Sequence, residues 1–170
     1  MDPCTLIRRN MYCSYKIEVL VYEMLSTYST LISKDSPLHA YLKVLLYTIA
    51  LDSKKHAEFL ELVGKAFNLF EEVECSQLVG EPWKVLQSTL EHLRRGVFMD
   101  LKTFVENQLW IEKAVGEETY QLLLLPLIKE NAKMCGIEGK SLELVNTILE
   151  RIIQDELFHE NTLKRIKTAF

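Results

Sequence analysis

The pattern Asp-x-x-x-His occurs twice in the chain, from Asp52 to His56 and from Asp155 to His159. In the second copy Glu156 stands three residues before His159, so on a helix the carboxylate and the imidazole stack one turn apart and can close on one metal ion. Turned at 100° per residue, both fall near the middle of the apolar stripe of their helix. A buried carboxylate is costly unless it is paired, hydrogen-bonded or metal-bound, and an imidazole at this spacing suggests the metal. A Glu-His hydrogen bond inside a helical core is the plainer reading of the same two residues.

His56 takes the matching inward place in the first copy, where the residue three before it is Ser53. A hydroxyl is a poor substitute for a carboxylate as a ligand for iron, manganese or zinc. Asp52, four residues before His56, can reach the same ion, or it can act behind the ligand or as a cap. Among Leu101, Phe104, Val105, Ile111 and Val115 the wheel turns Gln108 and Glu112 inward, while Glu106, Glu117 and Glu118 lie further from the stripe. Of these, Glu112 is the better ligand. Near the start of the chain the choice lies between Glu18 and Glu23, and height along an antiparallel helix pair favours Glu18.

These residues need long helices to bring them together, and the sequence supplies the periodicity. Moving the first motif forward by 103 residues superposes Leu42 on Val145, Leu46 on Leu149, Ile49 on Ile152, Ala50 on Ile153, Leu60 on Leu163 and Val63 on Ile166. The chain reads as two related halves, roughly 1–74 and 97–170, joined by a connection over 75–96. With 6 glycines, 4 prolines and no alternating apolar runs, the class is all-α. A first helix runs from Leu6 or Tyr12 to Ile32, and a second opens at Pro37 with Asp35 or Ser36 as its cap. The second helix frays into the acidic run Glu71, Glu72, Glu74, and Pro82 opens a further helical stretch. The third spans about Val97 to Met134 with kinks at Gly116 and Pro126, and the fourth starts near Ser141 and runs to the end.

The remaining polar and aromatic residues have simpler roles. His39 and His92 read as surface residues, the tyrosines and Trp83 and Trp110 as packing. Tyr28 alone lies central to its stripe and is placed to donate to a metal-bound carboxylate. The 71–74 acids form a solvated helix end or, less simply, a funnel for cations.

At 170 residues the chain is one domain whose size demands no staple. Its 20 Lys and Arg against 24 Asp and Glu, a formal charge of −4, disfavour nucleic acid as a ligand. The longest apolar run, Leu122 to Ile128, contains Pro126 and is far short of the ~20 residues a membrane span needs. Cys4, Cys13, Cys75 and Cys135 form no C-x-x-C pair and read as thiols in a reducing compartment, which makes a cytoplasmic protein the simplest expectation.

One carboxylate on helix one, E-x-x-H on helix two, one carboxylate on helix three and E-x-x-H on helix four is the arrangement of the ferritin-like di-iron proteins. The phrases Ile49-Ala50-Leu51-Asp52-Ser53-Lys54-Lys55-His56 and Asp155-Glu156-Leu157-Phe158-His159 resemble the rubrerythrin-like branch, with Ser53 where the first E-x-x-H would carry Glu. The resemblance implies a ferritin-like four-helix bundle of two helical hairpins with a crossover connection. It implies iron as the cofactor, as a di-iron or single-ion site with manganese or zinc as alternatives. The metal ligands it implies are Glu156, His159, His56, Glu112 and Glu18, with Asp52 nearby. Redox chemistry with oxygen or peroxide, or iron handling, would follow, with an unknown electron donor and a homodimer as partners. A metal-poor bundle serving as a binding or assembly module is the alternative.

Overall fold

The structure is a computed structural model that describes residues 2–32 and 36–168. Among these residues it is all helical. Helix α1 (Pro3–Leu31) starts earlier than the apolar repeat suggests, because Asp2 accepts hydrogen bonds from the amides of Cys4 and Thr5 and Pro3 suits the first turn. Helix α2 (Pro37–Ala66) is capped by the Ser36 hydroxyl, which accepts from the His39 amide. Asp35, the alternative cap, lies outside the described residues.

α1 and α2 pack along each other as an antiparallel hairpin. The N-terminal part of α1 meets the segment that follows α2: Arg9 pairs with Glu71 at 2.6 Å, and the Arg8 side chain donates to the Asn68 carbonyl. The acidic run is therefore not a frayed extension of α2. It is an irregular stretch in which Glu71 is engaged with Arg9 and Glu74 caps the short helix α3 (Cys75–Val79). Helix α4 (Glu81–Arg94) carries Pro82 in its first turn and packs on α1, with Arg94 bonded to Glu23.

The third long segment changes its winding three times. Helix α5 (Leu101–Glu112), capped by Asp100, passes into a π-helical stretch over Lys113–Leu124, then into α6 (Leu125–Asn131) and a 3-10 turn (Ala132–Cys135) that ends at Gly136 with a positive φ of 77°. The positions expected to kink lie within these elements. Gly116 lies within the π stretch, and Pro126 is the second residue of α6, which continues from that stretch without a break. Helix α7 (Lys140–Thr168) returns antiparallel to this segment, tied to it by Lys129–Glu150 near one end and Lys167–Glu106 near the other. It begins one residue before the expected cap at Ser141.

The internal repeat is visible as burial. Leu42, Leu46, Ile49, Ala50, Ser53, His56, Leu60 and Val63 are buried on α2, and Val145, Leu149, Ile152, Ile153, Glu156, His159, Leu163 and Ile166 are buried at the shifted places on α7. Each fully buried Leu or Ile in these stripes contributes roughly 1.5–3 kcal/mol. The same phase that buries the aliphatic residues carries the acid and the two imidazoles inward. Among the described residues no helix is long and apolar enough to cross a membrane.

The cysteines require a correction. Cys4 is bonded to Cys135 and Cys13 to Cys75, so all four are disulfides rather than thiols. The partners lie 131 and 62 residues apart and meet only because α1 runs beside the segments after α2 and α6. Four cysteines allow three pairings that spacing cannot separate. The reducing compartment inferred from free thiols loses its basis, since disulfides persist mainly in oxidising surroundings or in intracellular proteins of hyperthermophiles.

Candidate metal centre

Five of the residues singled out by the sequence converge in the core, one or two from each long helical segment. Glu18 comes from α1, His56 from α2, Glu112 from the end of α5, and Glu156 and His159 from α7; none is more than 4% exposed. They form two triads that share a member. Ligand-type atoms of Glu18, His56 and Glu156 lie within 4.8 Å of one another, and so do those of Glu112, Glu156 and His159. Glu156 Oε1 stands 3.2 Å from His56 Nδ1 and 3.5 Å from His159 Nδ1. Glu18 Oε1 and Glu112 Oε2 each lie 3.5 Å from the Nδ1 of their own histidine. Glu23, the other candidate on α1, faces the surface and pairs with Arg94.

The aspartates of the two motifs lie behind the histidines, and they are crossed. Asp155 Oδ2 is 3.1 Å from His56 Nε2, and Asp52 Oδ2 is 3.3 Å from His159 Nε2. A carboxylate only accepts, so each Nε2 carries a hydrogen and each Nδ1 is turned to the centre, the usual second partner of a metal-bound imidazole. Asp52 is in neither triad, which places it with the orienting groups and apart from the ligands. Lys55 spans the pair, with Nζ 2.7 Å from Asp52 and 2.9 Å from Asp155, and Arg151 adds a 2.7 Å contact to Asp155.

The electrostatics follow from this packing. Burial alone would push the His56 imidazole down, yet the carboxylates of Glu18 and Glu156 hold it up at about 10. Burial opposes the charge on His159 too, and Asp52, Glu112 and Glu156 together raise it to about 12. Burial, and then the charge of Glu156, lift Glu112 to about 7. Burial and the neighbouring Glu18 work against ionisation of Glu156, but the His159 and His56 imidazoles and a proton shared with Glu112 carry it below its usual value. Asp52 is lowered chiefly by its hydrogen bond to His159. Glu156 is thus an anion between two imidazolium rings.

That arrangement leaves the centre unsatisfied. Glu156 Oε1, His56 Nδ1 and His159 Nδ1 are buried and none completes a well-directed hydrogen bond. Buried polar atoms are seldom left so, and these three point at one another. Carboxylate oxygen and imidazole nitrogen are donors suited to iron, manganese or zinc, so the residues fit a metal ion.

Ser53 is buried at the place equivalent to Glu156 and belongs to neither triad. Tyr28 does not reach the centre; its hydroxyl donates to the Met99 carbonyl. The tyrosine that does is Tyr120, whose hydroxyl donates to Glu18 Oε1 at 2.8 Å. It lies in the π stretch, where i→i+5 bonding turns the chain less per residue than an α-helix, so an α-helical wheel carried through Glu112 misplaces it. Gln108, inward as expected, donates to Glu112 Oε1. His39 is partly buried, and the exposed His92 bonds its own helix through the Ser88 carbonyl.

Comparison with known proteins finds no matching family model, no matching curated protein and no matching solved structure.

Proposed function

We propose that the chain is a ferritin-like, rubrerythrin-like non-haem metal protein whose core site holds two divalent ions. The supporting observation is the convergence of three buried, unpartnered donor atoms, Glu156 Oε1, His56 Nδ1 and His159 Nδ1, with one terminal carboxylate on each side. Glu18 and His56 would hold one ion, Glu112 and His159 would hold the other, and Glu156, a member of both triads, would serve both. Iron bound there would supply redox chemistry with oxygen or peroxide, or its own oxidation, with electrons from a partner not yet identified.

The chain's own contribution is positioning and proton management. Asp155 and Asp52 fix the ring orientation of the two imidazoles. Tyr120 holds Glu18, and Gln108 holds Glu112. The apolar stripes exclude bulk water from the ligands, which strengthens every interaction among them.

Ser53 favours the second reading, a metal-poor bundle working as a binding or assembly module. Three carboxylates offset only part of the charge of two divalent ions, so the second ion is held more weakly than the first. Metal analysis of protein purified without a histidine tag or chelator separates the readings. About two irons per chain support the complete site and one ion a half-site. None, even after reconstitution with ferrous iron, supports the module. Glu156→Ala removes the shared ligand and should abolish loading at both triads; unaltered loading would exclude Glu156 from the ligand set.

A further inference from the structure

The π stretch does more than displace Tyr120. Glu112 and Gln121, nine residues apart, would sit on opposite faces of an α-helix turned at 100° per residue. Here they share one face with Gly116, and together they form one wall of a cleft of about 280 Å³. The other wall is a stripe of α7 at ordinary helical spacing, Ile153, Glu156 and Leu157. Glu117 and Glu160 stand at the rim, each with a lysine one turn away: Lys113 at 4.0 Å from Glu117, and Lys164 at 2.7 Å from Glu160.

The cleft reaches the two triads unequally. Glu112 and Glu156 line it, whereas Glu18, His56 and His159 do not. Both imidazoles are fully buried, so the triads differ at their terminal carboxylates: Glu112 lines the cleft, and Glu18, 1% exposed, is closed off beneath the Tyr120 hydroxyl. Four of the lining residues are carboxylates and one, Lys113, is a cation, so the field in the cleft draws positive charge inward. At its inner end Glu156, 4% exposed, offers an oxygen with no hydrogen-bond partner. The acidic run at 71–74 has no such feature, since Glu71 is engaged with Arg9 and Glu74 with a helix start.

We propose that this cleft is the route by which a divalent metal ion reaches the core, meeting the Glu112–Glu156–His159 triad first and passing from there to the Glu18–His56 side. The proposal rests on the metal reading above. It makes the two positions kinetically distinct: the outer one exchanges with solvent, and the inner one exchanges only through it. Glu117 and Glu160 collect the hydrated ion, and Glu112 and Glu156 replace its water.

Cobalt(II) added to the chelator-stripped full chain tests the route, with uptake followed by visible absorbance in rapid mixing and final loading by metal analysis. Glu117→Gln with Glu160→Gln should slow uptake roughly tenfold and flatten its dependence on ionic strength, with the final stoichiometry retained. Leu157→Trp, at a position already 43% exposed, should slow both uptake and release by obstruction. Glu72→Gln, outside the cleft, should change neither. Normal loading with unchanged rates in both cleft variants would overturn the route while leaving the metal reading intact. No cobalt bound by the unaltered chain at equilibrium would overturn both.

Discussion

Gly116→Ala keeps every proposed ligand and should still weaken metal binding. A Cβ built at Gly116 lies 2.7 Å from Glu156 Cβ and 3.3 Å from its Cγ. Carbon atoms in contact sit about 3.5–4.0 Å apart, so the π stretch and α7 must separate by on the order of 1 Å. The obstructing atoms are next to the backbone, and no rotamer change clears them. Metal–ligand distances tolerate only about 0.2 Å, and the displaced residue is the one both triads share. Overpacking costs about 1–3 kcal/mol, offset by up to ~1 kcal/mol from the better helix propensity of alanine.

The metal-free variant should therefore melt a few degrees lower, at about 2–4 °C per kcal/mol for a chain of this size. Metal affinity should fall by tenfold or more, which shrinks the metal-induced rise in melting temperature by about 1.4 kcal/mol of linkage. Thermal unfolding with chelator and with saturating cobalt(II) measures both effects. Gly64→Ala is the control: the atoms nearest its Cβ belong to the Phe70 ring, which packs on Tyr12 and Tyr15 and touches no proposed ligand, so stability should fall while metal affinity stays. A Gly116→Ala protein that binds metal as tightly as the parent and melts no lower without it would refute the close approach and the shared role of Glu156 built on it.

The metal-free centre stores protons that a metal must displace. With His56 held up at about 10 and His159 at about 12, loading at neutral pH should release about one proton per ion, and Glu112, raised to about 7, should add a fraction more. Calorimetry in buffers of different ionisation enthalpy counts them, and no release would refute the Nδ1-protonated state. In chelator, stability from the histidines is complete below their unfolded pKa of about 6.5. It is lost as pH rises through about 10 for His56. Glu112 contributes in the same direction, since its burial penalises the charged form between its ordinary 4.5 and about 7, so the melting temperature should fall steadily from about pH 5 to 10. A flat profile would refute this. Asp155→Asn should lower metal affinity about 10–100-fold through His56 alone, with stoichiometry preserved at saturation; unchanged affinity would remove Asp155 from the orienting set. The two disulfides close loops of 131 and 62 residues, worth about 5 and 4 kcal/mol by chain entropy. Reduction should lower the melting temperature by on the order of 10 °C or more, and coincident melts of the reduced and oxidised protein would contradict that.

Helix class and the inward placement of His56, Glu112, Glu156 and His159 were legible because each lies in an unbroken α-helical register with its aliphatic neighbours. Glu18 needed the extra step of matching heights in a hairpin. The register fails beyond Glu112, where the winding changes to π with no residue pattern to announce it, and Tyr120 was lost for that reason while Tyr28 stood in its place. The crossing of Asp52 and Asp155 was illegible too, since it depends on how the two hairpins face each other, which no spacing within a hairpin encodes. The cysteines read as thiols for the same reason: their partners meet only through packing between distant segments.

The crossed aspartates bear on how such a chain can be divided. His56 on α2 and His159 on α7 each take the acid that steadies them from the other helix, and Lys55 reaches for both acids at once. Cut near the connection and reduced at Cys4–Cys135, neither fragment could keep its own ring aimed inward. Mixing the fragments should restore both rings together or neither, since each fragment carries one ring and the acid that steadies the other.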